Sequence, residues 1–472
     1  MAQRPDTYVS TRGDTPATDF AEALLRGMAP DGGLYMPQTW PTLSADAWGA
    51  GRGYAAIAQQ AMAPFIGDAL PPGSLDRALD RLVAGFMPPE VTPLVRLEDG
   101  LYLLELFHGP TAAFKDLAMQ LAASLASEAL AASGETLTLV TATSGDTGAA
   151  AVAAFANQPR IRLIVLHPHE RVSAVQRRQM TTVDADNVLN LAVRGDFDDC
   201  QRLVKGLLAD ETLRAHGRFS SVNSINWARL AGQIPYYVSA VSQLAAMGET
   251  RAPVFVVPTG NFGDAFAGIA ARKMGLPVAG FVAAVNANDA LARAINEGVY
   301  ARKAAVETAS VSMDVQAPSN FERLVFEASG RDAGLTAGLF ADFARDGRVT
   351  LPADLLEALR AEVSAVSVDE PTTRAQIAHA HATWGQVVCP HTAVALSAAR
   401  GVDRSGGPVI ALATAHPAKF GRDVAPVLGF DPDPPRVIRD LGDRAERFEI
   451  IGAEAGEALT AVRGFAGQAR QA

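Results

Sequence analysis

The sequence predicts an α/β protein in which parallel sheets flanked by helices follow a mostly helical N-terminal unit. Three observations carry that expectation. From about residue 95 onward a short apolar run, a small-residue loop and a helical run recur in that order, the pattern of parallel strands under covering helices. Before it, apolar spacing and turn signals read mainly as helix. Between the two, MPPEVTPL (Met87 to Leu94) carries three prolines and marks a boundary.

Taken in order, the N-terminal unit (1–95) holds the turn-rich DGGLYMP (Asp31 to Pro37) and a helix over Tyr54 to Ile66. Leu101 to Leu106 is a strand, followed by FHGPTAAFKD and a helix from Leu117. Leu137 to Ala142 is a strand, followed by TSGDTG and an Ala-rich helix. Ile161 to Leu166 is another strand. Val254 to Val257 leads through PTGNFGD into a helix that runs to Lys273. Val278 to Val285 and Val409 to Ala413 are further strands. The expected division is 1–95, a core over 96–430 and a C-terminal segment, 431–472, packing on that core. In such sheets a ligand sits where strand C-termini meet helix N-termini, the level of these small-residue loops.

Composition narrows the class. Apolar residues make up 49% of the 472-residue chain, enough for a sizeable core. The formal net charge is -10 with no Lys/Arg-rich run, which argues against a nucleic-acid binder. Cys200 and Cys389 form neither a metal knuckle nor a disulfide framework, and fit a reducing compartment. MAQRPDTYVSTRGDTP lacks the apolar stretch of a secretory signal. Apolar runs such as Ala149 to Ala156 fall short of the roughly 20 residues that span a bilayer. The expectation is a soluble cytoplasmic protein without membrane or nucleic-acid partners. His167 with His169, and His379 with His381, lack a third ligand at metal spacing, so no metal is expected. No G-x-S-x-G elbow is present.

Only five of the 41 basic residues are lysine. Lys205 (CQRLVKGLLAD) and Lys303 (YARKAAVE) read as helical surface, and Lys273 as a helix C-terminus. Lys115 differs. Ala112, Ala113 and Phe114 precede it in a Gly/Pro-containing loop, where lost hydration lowers an amine's pKa and frees a nucleophile for a Schiff base. The alternative is a buried pair with Asp116. Lys419, in AHPAKF, is the second candidate.

Two loops suit anions. In Thr259-Gly260-Asn261-Phe262-Gly263-Asp264 the glycines let successive N–H groups converge before a helix start, a phosphate cradle; a simple turn is the alternative. In Thr143-Ser144-Gly145-Asp146-Thr147-Gly148, three hydroxyls and free amides suit a carboxylate, although Asp146 and Thr147 also read as N-caps. Asn223, Ser224 and Arg229 (NSINWAR) offer a planar fork for a second phosphate, or Arg229 pairs with an acid. Val409 to Ala413 delivers Thr414 at a strand end, where a hydroxyl could meet a pyridine nitrogen. Together these suit a phosphorylated cofactor, a lysine and an amino-acid substrate.

At these residues the chain resembles the threonine synthase family of fold-type-II pyridoxal-phosphate enzymes, in its longer bacterial and fungal branch. YVSTRG (Tyr8 to Gly13), DGGLYMP, FHGPTAAFKDLAMQ, TSGDTGAA, NSINWAR, VPTGNFGD, SMDVQAPSNFERL (Ser312 to Leu324), CPHTAVA (Cys389 to Ala395) and TAHPAKF (Thr414 to Phe420) carry the resemblance across nearly the whole chain. It implies a large and a small domain, the small one at roughly 120–225, and pyridoxal 5'-phosphate held by Lys115 as a Schiff base. It implies Gly260, Asn261, Phe262, Gly263 and Asp264 on the cofactor phosphate, Thr414 at the pyridine nitrogen and Asp146 toward the phenolic oxygen. Thr143, Ser144, Gly145 and Thr147 would take the substrate carboxylate, and Asn223, Ser224 and Arg229 its phosphate. Cys389 stands where the family pattern carries an acid. The implied reaction converts O-phospho-L-homoserine and water to L-threonine and phosphate, in a monomer or homodimer. A phospho-lyase on a phosphorylated amino alcohol, a serine/threonine dehydratase relative and a non-catalytic cofactor-binding protein are the alternatives.

Overall fold

The computed structural model describes residues 5–214, 217–442 and 444–468. The first four residues of the stretch read for a secretory signal, and the last four of the C-terminal segment, lie outside the described residues.

Two sheets organise the molecule. The larger has six strands in the order Ser364–Ser367, Gly280–Val285, Val254–Pro258, Val409–Ala413, Leu101–Glu105, Leu94–Glu98, all parallel except the last pair. The smaller has five parallel strands in the order Glu449–Ile451, Val188–Val193, Ile161–Pro168, Leu137–Ala142, Arg218–Ser220. Four of these lie between residues 137 and 220, and the fifth is donated by the C-terminal segment. Central strands read as near-continuous apolar runs because helices cover both faces: Ile161–Pro168 (IRLIVLHP) and Val409–Ala413 (VIALA) are almost wholly buried. Small residues let the helices approach closely. On the Ala-rich helix Asp146–Phe155, a Cβ at Gly148 would meet Met180 and Thr143 at 2.5 Å.

The N-terminal unit is mainly helical, with Phe20–Arg26, Tyr54–Ile66 and Ser74–Ala84. Its DGGLYMP turn feeds a short strand, Tyr35–Pro37, paired antiparallel with Tyr8–Ser10. The unit is anchored on Trp227, whose ring lies 6.0 Å from Tyr8, 6.0 Å from Trp40 and 5.4 Å from Phe65. No described helix is long and apolar enough to cross a membrane.

Two local expectations are corrected. Lys303 is not on a helix: Gly298, at φ 74°, ends the helix Ala290–Glu297, and Val299–Ala301 pairs with Arg348–Thr350 instead. Lys303 follows outside any helix or strand, exposed, with its Nζ reaching Asp289 at 3.3 Å. Lys115 is not in the loop but is the first residue of the helix Lys115–Ser133, two positions before the expected start. Lys205 lies exposed on the helix Phe197–Ala209, and Lys273 ends its helix in ion pairs with Glu362 and Glu327.

Candidate active site

The lysine is placed by backbone stitching. The Ala113 and Ala415 backbones form an antiparallel bridge, Phe114 N–H donates to the Thr414 carbonyl at 2.8 Å, and His416 N–H donates to the Ala112 carbonyl at 3.0 Å. These bonds pin the residues before Lys115 to the segment that leaves strand Val409–Ala413, so Lys115 and Thr414 share one site. The Lys115 side chain is 12% exposed, and its Nζ lies 3.5 Å from Asp146 and 5.3 Å from the Phe114 ring. Burial pushes its pKa down, against the pull of Asp146. Asp116 does not pair with it, because its carboxyl accepts from Thr111 N–H at 2.8 Å and Thr111 Oγ1 at 2.6 Å.

Lys419 is close by but committed. It is fully buried, and its Nζ donates to the Thr111 carbonyl at 2.7 Å and to Asp146 Oδ1 at 2.9 Å. Asp146 also accepts from Gln176 Nε2 at 3.0 Å and Ser312 Oγ at 3.4 Å. Burial alone would raise this carboxyl, but Lys419, then Lys115, hold it well below the usual carboxylate range.

The loop after strand Val254–Pro258 leaves a row of backbone amides free at the helix start. No described acceptor takes the backbone N–H groups of Gly260, Asn261, Phe262, Gly263 or Asp264, which precede or open the helix Gly263–Lys273. Asn320 braces the loop, its backbone N–H donating to the Asn261 carbonyl at 3.0 Å and its Nδ2 at 3.1 Å. Phe262 adopts φ 63°, which turns the chain into the helix. A Cβ at Gly260 would lie 2.7 Å from the Ser312 carbonyl, so only glycine fits. The Asp264 side chain turns away from the loop to accept from Tyr236 and from Tyr237 at 2.8 Å, and burial raises it to about 6. Free amides at a helix start, a pocketed amine and a strand-end hydroxyl fit a phosphorylated pyridine aldehyde.

At the second loop Thr143 Oγ1 accepts from Gly145 N–H (2.9 Å) and Gly148 N–H (2.8 Å), which folds the turn. The N–H groups of Ser144, Asp146 and Thr147 have no described acceptor. Gly145, at φ 138°, has Gln176 where a Cβ would be. In the third cluster Ser224 Oγ is 3.3 Å from Ser319 Oγ, which donates to Asn261 Oδ1 at 3.3 Å, so the cluster adjoins the cradle. Arg229 is turned inward: Nη1 donates to the Val222 carbonyl at 2.6 Å, and Nε has no partner among the described residues. It borders a cavity of about 20 Å³ with Leu24, Met119, Leu137 and Phe155, room for one water. It pairs with no described carboxylate, and burial lowers its pKa to about 10. The N-terminal unit braces this segment, with Asn226 Nδ2 donating to the Leu24 carbonyl at 2.7 Å.

Several neighbours escaped sequence reasoning as site residues. Gln176, Ser312 and Asn320 shape the two loops, and His391 Nε2 accepts from Ser312 N–H at 3.2 Å. Three of the four lie in motifs already conspicuous, SMDVQAPSN and CPHTAVA. Gln176 gave no signal beyond its place after Ser173, with which it forms a capping box.

Family models match three stretches: "Threonine synthase N terminus" over 7–82, "Pyridoxal-phosphate dependent enzyme" over 87–337, and "Threonine synthase, C-terminal" over 392–463. The chain is 41% identical to the threonine synthase of Pseudomonas aeruginosa, covering 98% of both proteins, and 40% identical to that of Methylobacillus glycogenes, covering 95% of this chain and 97% of the relative. The structure superposes on PLP-bound threonine synthase from Brucella melitensis with a TM-score of 0.94 at 42% identity, covering 98% and 99%. Yeast threonine synthase superposes with a TM-score of 0.93 at 32% identity, again covering 98% and 99%.

Proposed function

Since this chain belongs to the threonine synthase family of pyridoxal-phosphate enzymes, we propose that the site around Lys115 is where it converts O-phospho-L-homoserine and water to L-threonine and phosphate. The observation that carries the assignment of residues is a desolvated lysine amine and five backbone amides without an acceptor among the described residues, set at one junction of two sheets.

The cofactor supplies an electron sink conjugated with the substrate's Cα. Lys115 would hold it, and the same amine, when free, would move protons at the substrate's Cα and Cβ. Burial lowers its pKa and so favours the neutral form this requires. Gly260 to Asp264 grip the cofactor phosphate through backbone N–H groups at a helix start; the Asp264 carboxyl, engaged with two tyrosines, contributes only its amide. Thr414 would give the pyridine nitrogen a neutral partner. Ser144, Asp146 and Thr147 amides, held by the turn around Thr143 and Gly145, receive the substrate carboxylate.

Asn223 and Ser224 would take the substrate's phosphate beside the cradle, with Arg229 joining them on leaving the Val222 carbonyl. A buried guanidinium without a carboxylate is costly, and a dianionic ligand is the counter-charge it lacks. The test is incubation with O-phosphohomoserine, scoring threonine and phosphate together, followed by borohydride fixation and peptide mapping. Equal release of both products and label on Lys115 support the reading; an oxo acid with ammonia, or label elsewhere, overturns it. A monomer or a homodimer and a cytoplasmic location complete the proposal, the latter supported by two buried cysteines that form no disulfide with each other.

A further inference from the structure

Two lysines share one buried carboxylate, and their geometries differ. Lys419 contacts Asp146 at 2.9 Å with a side chain that is 0% exposed and a second bond to the Thr111 carbonyl. Lys115 contacts the other carboxylate oxygen at 3.5 Å and is 12% exposed. Only one of the two can change partners. We infer that Lys419 is a positioning residue: it is the fixed counter-ion of Asp146, so that the carboxylate stays charged and in place when Lys115 gives up its own positive charge. The inference deepens the proposed function, because it concerns the lysine assigned to the cofactor.

The physical reason lies in what a buried carboxylate does with one cation or two. With Lys115 as its only partner, Asp146 would hold that ammonium tightly, since loss of the proton would strand a bare charge in a dry site. With Lys419 present, the Asp146–Lys419 pair is neutral by itself, and Lys115 faces a pair rather than an anion. Lys419's charge also acts directly against a charge on Lys115. An ammonium–carboxylate pair of zero net charge is moreover a better neighbour for an anionic oxygen of a ligand than an isolated carboxylate.

The surroundings leave Lys419 in this role alone. Toward Asp146, Gln176 comes from the helix Ala174–Thr181 and Ser312 from the turn Val311–Met313, both neutral. From the helix Pro390–Ala399 and its cap, His391 and Cys389 feel the Asp146 charge; burial holds the histidine neutral, at about 4, and raises the thiol. Asp116 faces Lys419 but is satisfied by Thr111, while Arg229 and Asp264 act on Lys115 from farther off.

The experiment measures Lys115 directly. Full-length protein freed of cofactor is labelled briefly with acetic anhydride across a pH series, and the Lys115 peptide is quantified by mass spectrometry. In Lys419→Met the labelling midpoint should rise by roughly one to three pH units, and Lys419→Arg should restore it. Asp146→Asn should lower the midpoint, and the double variant should fall between the single ones. In holoprotein, the pH at which the visible absorbance of the bound cofactor titrates should move in the same direction in Lys419→Met. A midpoint in Lys419→Met that is unchanged or lower overturns the inference. If that variant does not fold, Asp146→Asn decides: a midpoint that stays or rises overturns it equally. Label mapping decides the cofactor's attachment separately, since the acetylation midpoint is read without cofactor.

Discussion

Replacing Gly260 by alanine isolates the phosphate cradle from everything else in the site. Gly260 does not need a left-handed backbone, so the cost of the change is steric. An added Cβ would lie 2.7 Å from the Ser312 carbonyl oxygen, 3.1 Å from Met313 Cα and 3.3 Å from Val315 Cγ2. Comfortable contacts begin at about 3.5 Å, so the loop must retreat by several tenths of an ångström from backbone that cannot yield. Loss of one N–H bond to a charged phosphate costs about 1.5–3 kcal/mol. At 1.4 kcal/mol per tenfold, pyridoxal phosphate should bind roughly 10- to 150-fold more weakly. Gly280→Ala is the control, because nothing lies within 4 Å of its added Cβ and it begins a strand of the same sheet. Both proteins are stripped of cofactor, checked by thermal melting and titrated with pyridoxal phosphate by absorbance. Unchanged affinity in Gly260→Ala, with Gly280→Ala also unchanged, would refute the cradle.

Other perturbations reach the remaining parts. Lys115→Ala should abolish threonine release and leave no borohydride-fixed label, as checked by mass spectrometry. Arg229→Ala should lower kcat/KM for O-phosphohomoserine by roughly 30- to 1,000-fold, chiefly through KM, as a buried charge partner is removed. Leu163→Ala, in the centre of the smaller sheet and fully buried, should cost about 2–5 kcal/mol in urea unfolding. His391 is held neutral by burial with its pKa lowered to about 4. The unfolded state then binds more protons, so stability is full above about 6.5 and is lost as pH falls toward 4, on the order of 3 kcal/mol for this group. His391→Gln should flatten that part of the stability profile measured by denaturant titration.

What could be read from the sequence depended on how locally each feature was encoded. Helix Tyr54–Ile66 and strands Leu137–Ala142 and Val409–Ala413 matched to the residue, because apolar runs of the right length end in Gly or polar turns. Strands Ser364–Ser367 and Arg218–Ser220 gave no such signal: they are short, partly exposed edges whose pairing is set by neighbours far away in the chain. The strand Glu449–Ile451 was hidden for the same reason. The loop that leads into Lys115 and the loops that carry Gly260 and Thr143 were visible as small-residue junctions. Their mutual placement was not, since Asp146 meets Lys419 and Ser312 only through tertiary packing. The inward turn of Arg229 likewise comes from the Val222 carbonyl, which no spacing pattern reveals.

The strand Glu449–Ile451 closes one margin of a sheet whose other four members precede residue 221. Until a growing chain has been extended past Ile451, strand Val188–Val193 has a row of unpaired amides and carbonyls open to any other extended peptide. Completion must wait for a segment that arrives after the entire larger sheet has been made, so this half of the molecule matures last. A chain cut short before residue 449 would keep Lys115 and both loops, yet carry an adhesive margin beside them.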